Sequence, residues 1–340
     1  MTTLGNHDVS SLGERGLIER IRRRLPPPPA SIVVGIGDDA AVATIDRGTL
    51  QVLTTDALVE GVHFDRRFSS PSDIGYKALA VNVSDIAAMG AAPRLALLSL
   101  MLPASLPVTI VDGILDGLLE LAAASGVSVV GGNITRSPGP LVVDVTVTGA
   151  VKPRRILTRA GGRVGDRLYV TGQIGAAAAG LDWLSEQAAT ESPDPPIAEC
   201  VARHRRPEPR TRVGGLLGRA RAANACMDLS DGLADAVRQI SEASGTGAVV
   251  DAASLPIHPG AAAWFGARGK DPVEASVAGG DDYELLFSVP HRFRGRLRLV
   301  QRQSRGVPLT PIGELTADVG KLVLKRSGAS NLLPAGFVHF

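Results

Sequence analysis

The chain has 340 residues, 44% of them hydrophobic and 21% charged, which is enough for two domains with separate cores. Its 36 Lys and Arg residues nearly balance 34 Asp and Glu residues, and a net charge of +2 gives no support to a nucleic-acid partner. Two cysteines exclude a disulfide framework and indicate a reducing cytoplasm. No signal peptide and no apolar run long enough to span a bilayer is found, so we expect a cytoplasmic protein without a membrane partner.

The first half of the chain predicts a mixture of helices and strands. Prolines 26–29 force an extended connection after the first helix, and Gly126 is suited to a left-handed helix stop. Alternating valines near residue 145 are typical of a half-buried strand. The predicted segments, in order, are a helix at 12–24, strands at 32–34 and 51–54, helices at 73–89 and 107–125, and strands at 127–130 and 141–151. This order predicts an α/β or α+β domain.

The second half predicts another α/β domain after a basic, glycine-rich stretch. Gly172-Gln173-Ile174-Gly175 follows a predicted strand and opens an alanine-rich helix, and 191–196 reads as a proline-broken loop. The other predicted elements are strands at 167–171, 248–251, 283–289, 311–315 and 322–325, and a helix at 232–244. The predicted division is an N-terminal segment and helix at 1–30, an N-terminal domain at 31–151, a linker at 152–166 and a C-terminal domain at 167–340.

Six short acidic or polar segments beside glycines or at element ends carry the predicted chemistry. They are Gly37-Asp38-Asp39, Thr54-Thr55-Asp56, Asn82-Val83-Ser84-Asp85, Gly131-Gly132-Asn133, Asp228-Leu229-Ser230-Asp231-Gly232 and Gly279-Gly280-Asp281-Asp282. Hard oxygen ligands without a His or Cys cluster are what Mg²⁺ and a polyphosphate need. Carboxylates that converge on one pocket repel one another unless cations are bound, so a converging set predicts metals.

Each segment taken alone is more typical of a turn, because Asp and Gly tolerate turn geometry. Asp85 differs, since it falls within a helical pattern among apolar neighbours, where a buried carboxylate needs a partner. Gly131 and Gly132 let backbone amides approach a phosphate, whereas the Gly172–Gly175 segment favours a plain strand-to-helix turn. No Walker A motif and no complete G-x-G-x-x-G occurs. His63, a lone histidine near an acidic turn, favours a structural role.

Taken together, these segments resemble the thiamine-monophosphate kinase family of the PurM-like, or aminoimidazole ribonucleotide synthetase, superfamily. The resemblance runs from about residue 32 to residue 340. It is carried by the acidic segments in order, with Gly61-Val62-His63-Phe64, the 76–90 segment, Tyr283-Glu284-Leu285 and the terminal Gly336-Phe337-Val338-His339-Phe340.

The resemblance implies ATP-dependent phosphorylation of thiamine monophosphate to thiamine diphosphate, with several Mg²⁺ ions and direct transfer of the γ-phosphoryl group. A phosphate acceptor is already ionised near neutral pH, so no covalent nucleophile and no general base is implied. The implied fold is a PurM-like two-domain α/β (α+β) protein. Its N-terminal four-stranded sheet pairs with that of a second subunit into a barrel-like homodimer interface, and its C-terminal α/β domain has a mixed sheet.

The resemblance also assigns roles to residues by position. Implied Mg²⁺ ligands are Asp39, Thr54, Thr55, Asp56, Asp85, Asn133, Asp228 and Asp231, the threonines acting partly through main-chain oxygens. Implied ATP contacts are Gly132, Asn133, Arg159 and Ser230, and implied substrate contacts are His63, Asp281 and Phe337. Asn133 departs from the Asp usual in the family, which removes one negative charge and predicts weaker metal binding there.

Two alternatives remain open at the level of sequence. An aminoimidazole ribonucleotide synthetase type of enzyme is the nearest, although Gly61-Val62-His63-Phe64 and the terminal segment argue against it. A catalytically silent divalent-cation-binding paralogue is the other, favoured only by Asn133. The reactive Cys and Lys of selenophosphate synthetase and the terminal cysteine of the hydrogenase-maturation relative have no counterpart here.

Overall fold

The computed structural model describes residues 8–34, 41–187, 192–326 and 329–336. The chain divides into two compact units. The N-terminal unit comprises Met1–Ile86 and Pro93–Ala150, and the C-terminal unit comprises Ala87–Ala92 and Val151–Phe340. Each unit is described separately below.

The N-terminal unit is built on a four-stranded sheet of order β3-β6-β4-β5. Its elements are α1 (Val9–Arg24), β1 (Ile32–Val34), β2 (Val42–Ala43), β3 (Leu50–Val59), α2 (Pro71–Ala88), β4 (Ala92–Pro103), α3 (Val108–Ser125), β5 (Ser128–Ser137) and β6 (Val142–Val151). Strands β4 and β5 are parallel, with α3 as the crossover between them. As predicted, α3 ends at Gly126, which adopts the left-handed conformation.

One face of this sheet is buried within the unit. Val143, Val145 and Val147 are all 0% exposed, while the alternate residues of β6 are half-buried. The opposite face, here called the open face, carries the exposed side chains of Leu53 and Leu97. The protomer itself therefore covers the valine face, so the alternation of β6 is no argument for a second subunit on that face.

The C-terminal unit contains a mixed seven-stranded sheet of order β13-β12-β9-β11-β7-β10-β8. Its elements are β7 (Arg167–Thr171), α4 (Ala176–Gln187), α5 (Pro195–Arg205), α6 (Thr211–Ala220), β8 (Ala225–Asp228), α7 (Leu233–Ser244), β9 (Gly247–Asp251), α8 (Pro259–Ala267), α9 (Pro272–Ala278), β10 (Leu285–Val289), α10 (Arg294–Gln303), β11 (Leu309–Thr316), β12 (Leu322–Arg326) and β13 (Ala329–Leu332). Only the β12–β9 pair is parallel among the strand pairs described for this sheet.

Both faces of the seven-stranded sheet are covered by apolar side chains. Leu168 and Val170 of β7 belong to one core cluster, and Tyr169 between them belongs to the other. Leu286 and Phe287 of β10 divide in the same way. Strands buried on two faces are typically continuous apolar runs instead of alternating ones, as in Leu168–Val170 of β7 and Leu285–Phe287 of β10.

The predicted fold class is confirmed: both units are mixed α and β, with a four-stranded sheet in the first and a mixed sheet in the second. Strand β4, which contains the apolar run 95–102, was not predicted from the sequence. The sequence analysis also missed β8, α5, α6, α8, α9, α10 and the short strands β2 and β13. The predicted loop at 191–196 was wrong at its end, because Pro195 and Pro196 form the first turn of α5, where no helical amide bond is lost.

Candidate active site

The N-terminal unit brings the hydroxyl of Thr54 onto the carboxylate of Asp85. Thr54 lies on β3 and donates a hydrogen bond from Oγ1 to Oδ2 of Asp85 on α2. Asp56 is on the same face of β3 as Thr54, because side chains alternate along a strand. Asp85 is half-buried between fully buried neighbours, so the hydroxyl offsets part of its desolvation. The donor set is entirely oxygen, which fits Mg²⁺.

Thr55 projects to the other face of β3. Its Oγ1 lies 3.1 Å from Oδ1 of Asp144 and 3.0 Å from Oγ1 of Thr146, both on the neighbouring strand β6. The side chain is therefore committed to a cross-strand contact on the open face. Because the Thr55 side chain projects away from Asp85, Thr55 could join Asp85 as a metal ligand only through its main-chain oxygen.

Gly132 is fixed by the sheet itself. A Cβ at this position would lie 1.8 Å from the carbonyl oxygen of Leu98, so no other residue fits without a shift of the backbone. The strand register pairs Ser99 with Asn133, which places the exposed Asn133 on the open face with Thr55. Gly132 thus has a structural reason to be glycine, independent of any phosphate.

His63 follows β3 in a tight turn held by two described contacts. Its Nδ1 accepts a hydrogen bond from the backbone N–H of Val59 at 3.0 Å, so the proton of the neutral ring is on Nε2. The ammonium of Lys77, which is buried on α2, donates to the carbonyl oxygen of His63 at 3.4 Å. The structural interpretation of His63 is supported, and the ring orientation is fixed for a contact through Nε2.

In the C-terminal unit, the 228–232 loop and the 279–283 loop are joined backbone to backbone. The N–H of Asp281 donates to the carbonyl oxygen of Ser230 at 2.7 Å, and Tyr283 donates to Leu229 at 3.1 Å. A Cβ on Gly280 would lie 2.5 Å from the Ser230 oxygen. Ser230 and Asp281, predicted to contact ATP and substrate respectively, are therefore neighbours although 51 positions separate them in the chain.

The Asp281 side chain is held in a strained and well-supported position. Asp281 and Tyr283 both adopt positive φ, 69° and 49°, which non-glycine residues rarely do. Oδ1 of Asp281 accepts from the Tyr283 hydroxyl at 3.2 Å, and Oδ2 lies 3.5 Å from Nδ1 of the buried His204 on α5. Sequence reasoning missed the contact with His204, since nothing in the sequence relates α5 to this loop.

Asp228 and Asp231 both lie in the 228–232 loop. Asp228, at the end of β8, is 2% exposed and pairs with Leu285 of β10 in the sheet register. Gly336 lies against the loop, since a Cβ there would be 2.8 Å from the carbonyl oxygen of Asp231. Phe337 follows directly but, like Asp39, lies outside the described residues.

Arg159 is connected to the first turn of α7. Its guanidinium donates to Oε1 of Gln239, and Nε2 of Gln239 donates in turn to Oδ2 of Asp235. Asp235 also contacts Gly336, so this chain of hydrogen bonds leads from Arg159 to the neighbourhood of Asp231. Gln239 and Asp235 occupy adjacent turns of α7, an i,i+4 pairing that the predicted helix at 232–244 could have revealed.

Asp282 points away from Asp281, into the start of α4. Its carboxylate accepts from the backbone N–H groups of Gly175 at 2.7 Å and Ala177 at 3.2 Å. Burial raises the pKa of Asp282 to about 7, although the two amide bonds act in the opposite direction. The amides at this helix start are therefore occupied by the protein's own carboxylate, which confirms the plain-turn interpretation of Gly172–Gly175.

Glu284 anchors the beginning of β10 through a buried ion pair. Arg210, 5% exposed, donates from Nε and Nη2 to the two carboxylate oxygens of Glu284, and Thr171 donates to Oε2. Its hydrogen bonds and proximity to Glu284 outweigh burial and raise the pKa of Arg210. This arrangement fixes the 279–283 loop from its C-terminal side.

The two cysteine thiols play no part in such a site. Cys200 and Cys226 are buried and form no disulfide, and burial raises the pKa of Cys200 to about 12. A thiol with so high a pKa is a poor nucleophile at neutral pH.

No group of three or more His, Cys, Asp or Glu side chains with metal-ligand geometry is found within 8–34, 41–187, 192–326 and 329–336. The predicted ligands are divided between the two units, and Asp39 is beyond the described part. No helix in that part of the chain is long and apolar enough to cross a membrane.

Comparison with known proteins assigns both halves of the chain to one class. Residues 37–151 match the model of the AIR synthase related protein N-terminal domain, and residues 163–325 match that of the C-terminal domain. The chain is 39% identical to the thiamine-monophosphate kinase of Escherichia coli strain K12 over 333 residues, which covers 96% of this chain and 98% of that protein.

Solved structures agree. The thiamine-monophosphate kinase from Stenotrophomonas maltophilia K279a has a TM-score of 0.79 at 36% identity, over 90% of this chain and 94% of that one. AaThiL complexed with AMPPCP and TMP has a TM-score of 0.76 at 32% identity, over 99% and 100%. The fold and its acidic loops thus define an AIR synthase related protein. Within that class, the chain belongs to the thiamine-monophosphate kinase family.

Proposed function

We propose that this protein phosphorylates thiamine monophosphate to thiamine diphosphate, using ATP and several Mg²⁺ ions in a direct in-line transfer. The observation that carries the proposal is the backbone junction of the 228–232 and 279–283 loops, which sets Ser230 beside Asp281. The family membership of the chain supports the same reaction.

The chain's own residues serve mainly to position two phosphate-bearing molecules. Ser230 and Arg159 contact ATP, with Gly132 and Asn133 from the N-terminal unit. Asp281, His63 and Phe337 contact thiamine monophosphate. Asp281 is oriented by Tyr283 and His204, and the ring of His63 is oriented by the backbone N–H of Val59.

The metal ligands proposed are Asp39, Thr54, Thr55, Asp56, Asp85, Asn133, Asp228 and Asp231. When bound, Mg²⁺ neutralises the charge that develops on the transferring phosphoryl group. Thr54 and Asp85, already in contact, hold one another in place. The acceptor phosphate is ionised near neutral pH, so none of the residues needs to remove a proton from it.

We also propose a homodimer in the cytoplasm, formed through the open face of the four-stranded sheet. Leu53 and Leu97 on that face are 67% and 41% exposed, which suits them to a subunit interface. Pairing two copies of one face gives a closed, two-fold assembly.

The test uses purified protein with ATP and MgCl₂, offered either thiamine monophosphate or formylglycinamidine ribonucleotide. Formation of thiamine diphosphate, separated by chromatography, supports the kinase. Phosphate release only with the second substrate would establish an aminoimidazole ribonucleotide synthetase type of activity, and no turnover of either would favour a silent cation-binding paralogue.

A further inference from the structure

A cavity of about 390 Å³ in the C-terminal unit contains none of the predicted site residues. Its walls are the 3₁₀ turn Pro153–Arg155, the end of α6 and the start of α10. Four arginines line it: Arg154, Arg155, Arg221 and Arg296. The near-neutral charge of the whole chain conceals this local concentration of cations.

Among the described residues, no carboxylate forms an ion pair with any of these four arginines. Other arginines of the same unit are paired, as Arg210 is with Glu284 and Arg326 with Asp271. The segment 291–313, which includes α10, contains six arginines and neither Asp nor Glu. The cavity is therefore lined by four arginines that form no ion pair with a carboxylate of the described residues.

The guanidinium of Arg296 is held in place by two contacts. Nη1 donates to the carbonyl oxygen of Arg221 at 3.0 Å, and the guanidinium carbon lies 4.1 Å from the centre of the Phe293 ring. Arg221 itself has a positive φ of 49° and caps α6, its N–H donating to carbonyl oxygens of the last helical turn. Stacking and capping restrict both residues before any ligand arrives.

The 3₁₀ turn is fixed just as firmly against α6. A Cβ on Gly218 would lie 2.4 Å from the carbonyl oxygen of Arg155, so helix and turn are in backbone contact. The N–H of Arg155 donates to Lys152 at 2.8 Å, closing the turn. The arginines thus come from elements with defined backbone positions, which lowers the entropy lost when a ligand is bound.

We propose that this cavity binds a small molecule carrying a diphosphate group. A guanidinium donates two parallel hydrogen bonds to a phosphoryl group, and four guanidinium groups suit two linked phosphoryl groups. All four arginines are exposed, and the negative charge of a diphosphate offsets their combined positive charge. None of the residues that line this cavity belongs to the candidate active site, and the proposal does not depend on the kinase reaction.

The experiment is calorimetric titration of the purified full-length protein with inorganic pyrophosphate at low ionic strength in EDTA, which suppresses phosphate binding through Mg²⁺. The wild type is expected to bind inorganic pyrophosphate at one site, the arginine-lined cavity. The double variant Arg155→Gln/Arg296→Gln is expected to bind about tenfold more weakly or worse. Arg302→Gln/Arg305→Gln, which removes the same charge from residues outside the lining, is the matched control and is expected to bind normally.

Arg155→Lys keeps the charge but not the bidentate donor pair, and weakened binding by this milder variant supports the same assignment if the double variant misfolds. Titration with ADP is carried out on the wild type and on the double variant, because the proposed ATP site also accepts a nucleotide. A loss of ADP affinity in the double variant supports a nucleotide ligand for this cavity, and an unchanged ADP affinity supports recognition of free diphosphate alone. No binding by the wild type in EDTA overturns the proposal. An equal loss of affinity in the control double variant also overturns it, because binding would then reflect general surface charge.

Discussion

Asp282 gives the protein a stability that depends on pH in a direction unusual for a carboxylate. Burial raises its pKa from the ordinary 3.8 to about 7, opposed by its amide bonds to Gly175 and Ala177 and reinforced by the charges of Glu284 and Asp281. We expect Asp282→Asn to remove this pH dependence, because an amide still accepts a hydrogen bond from Gly175 but does not ionise.

The sign follows from proton uptake. Between pH 4 and 7 the folded protein keeps a proton on Asp282 that the unfolded chain has lost, so the folded state binds more protons. The stabilisation is therefore fully present below the unfolded pKa and is lost as pH rises through about 7. The pKa of Asp282 in the folded protein is about three above its ordinary value, and each pKa unit corresponds to about 1.4 kcal/mol. The free energy of unfolding can therefore change by at most about 4 kcal/mol through this one group.

The assay is urea unfolding from pH 5 to 8, followed by the fluorescence of Trp183 and Trp264, which both lie in the C-terminal unit. The free energy of unfolding of the wild type should exceed that of Asp282→Asn most at pH 5, and this difference should become smaller towards pH 8. Asp271→Asn is the matched control: Asp271 also accepts from a helix-start amide, but its pKa is lowered, so its effect should be constant over this range. A constant difference for Asp282→Asn as well would refute the reasoning.

The remaining predictions concern catalysis. Asp85→Asn should lower kcat/KM by about a hundredfold or more, because it removes charge from the proposed metal site. The control Asp116→Asn, on an exposed face of α3, should leave kcat/KM unchanged. Wild-type activity of Asp85→Asn at saturating Mg²⁺ would contradict a metal-binding role for Asp85. Asn133→Asp should lower the Mg²⁺ concentration for half-maximal rate, and an unchanged or higher requirement counts against a metal role. His204→Gln should raise KM for thiamine monophosphate with little change in kcat, because the Asp281 carboxylate loses a positioning partner; an unchanged KM would contradict this.

The candidate site was only partly accessible to sequence reasoning. The Asp85 prediction rested on the general cost of burying a carboxylate, which indicates a metal or capping role but names no particular side chain. In the structure Asp85 is half-buried and accepts a hydrogen bond from Thr54, which the sequence pattern did not indicate. The contact between Asp282 and α4 was not predicted, because residue type alone does not distinguish the two carboxylates of the Gly-Gly-Asp-Asp segment. Here Asp281 and Asp282 are adjacent in sequence and differ completely in surroundings, one beside His204 and the other against helix amides.

Sequence periodicity did not reveal every strand. Strand β4 was missed because residues 95–102 are nearly all apolar and do not alternate in residue type, although their burial alternates in the structure. The valines of β6 were recognised as strand residues, but their pattern contained no information about what covers them. The arginine-lined cavity was missed for a related reason, since its four cations come from three separate segments and the overall charge is near zero.

The sequence by itself determined the fold class, the identity of the oxygen-rich segments and the predicted kind of chemistry, because residue type and spacing along the chain suffice for those. Only the tertiary structure decided which side chains meet. Thr54 reaches Asp85, Ser230 reaches Asp281, and Arg159 is linked through Gln239 to α7. Contacts between distant positions depend on strand register and helix packing, and these are set by the burial of the whole core, which no local pattern encodes.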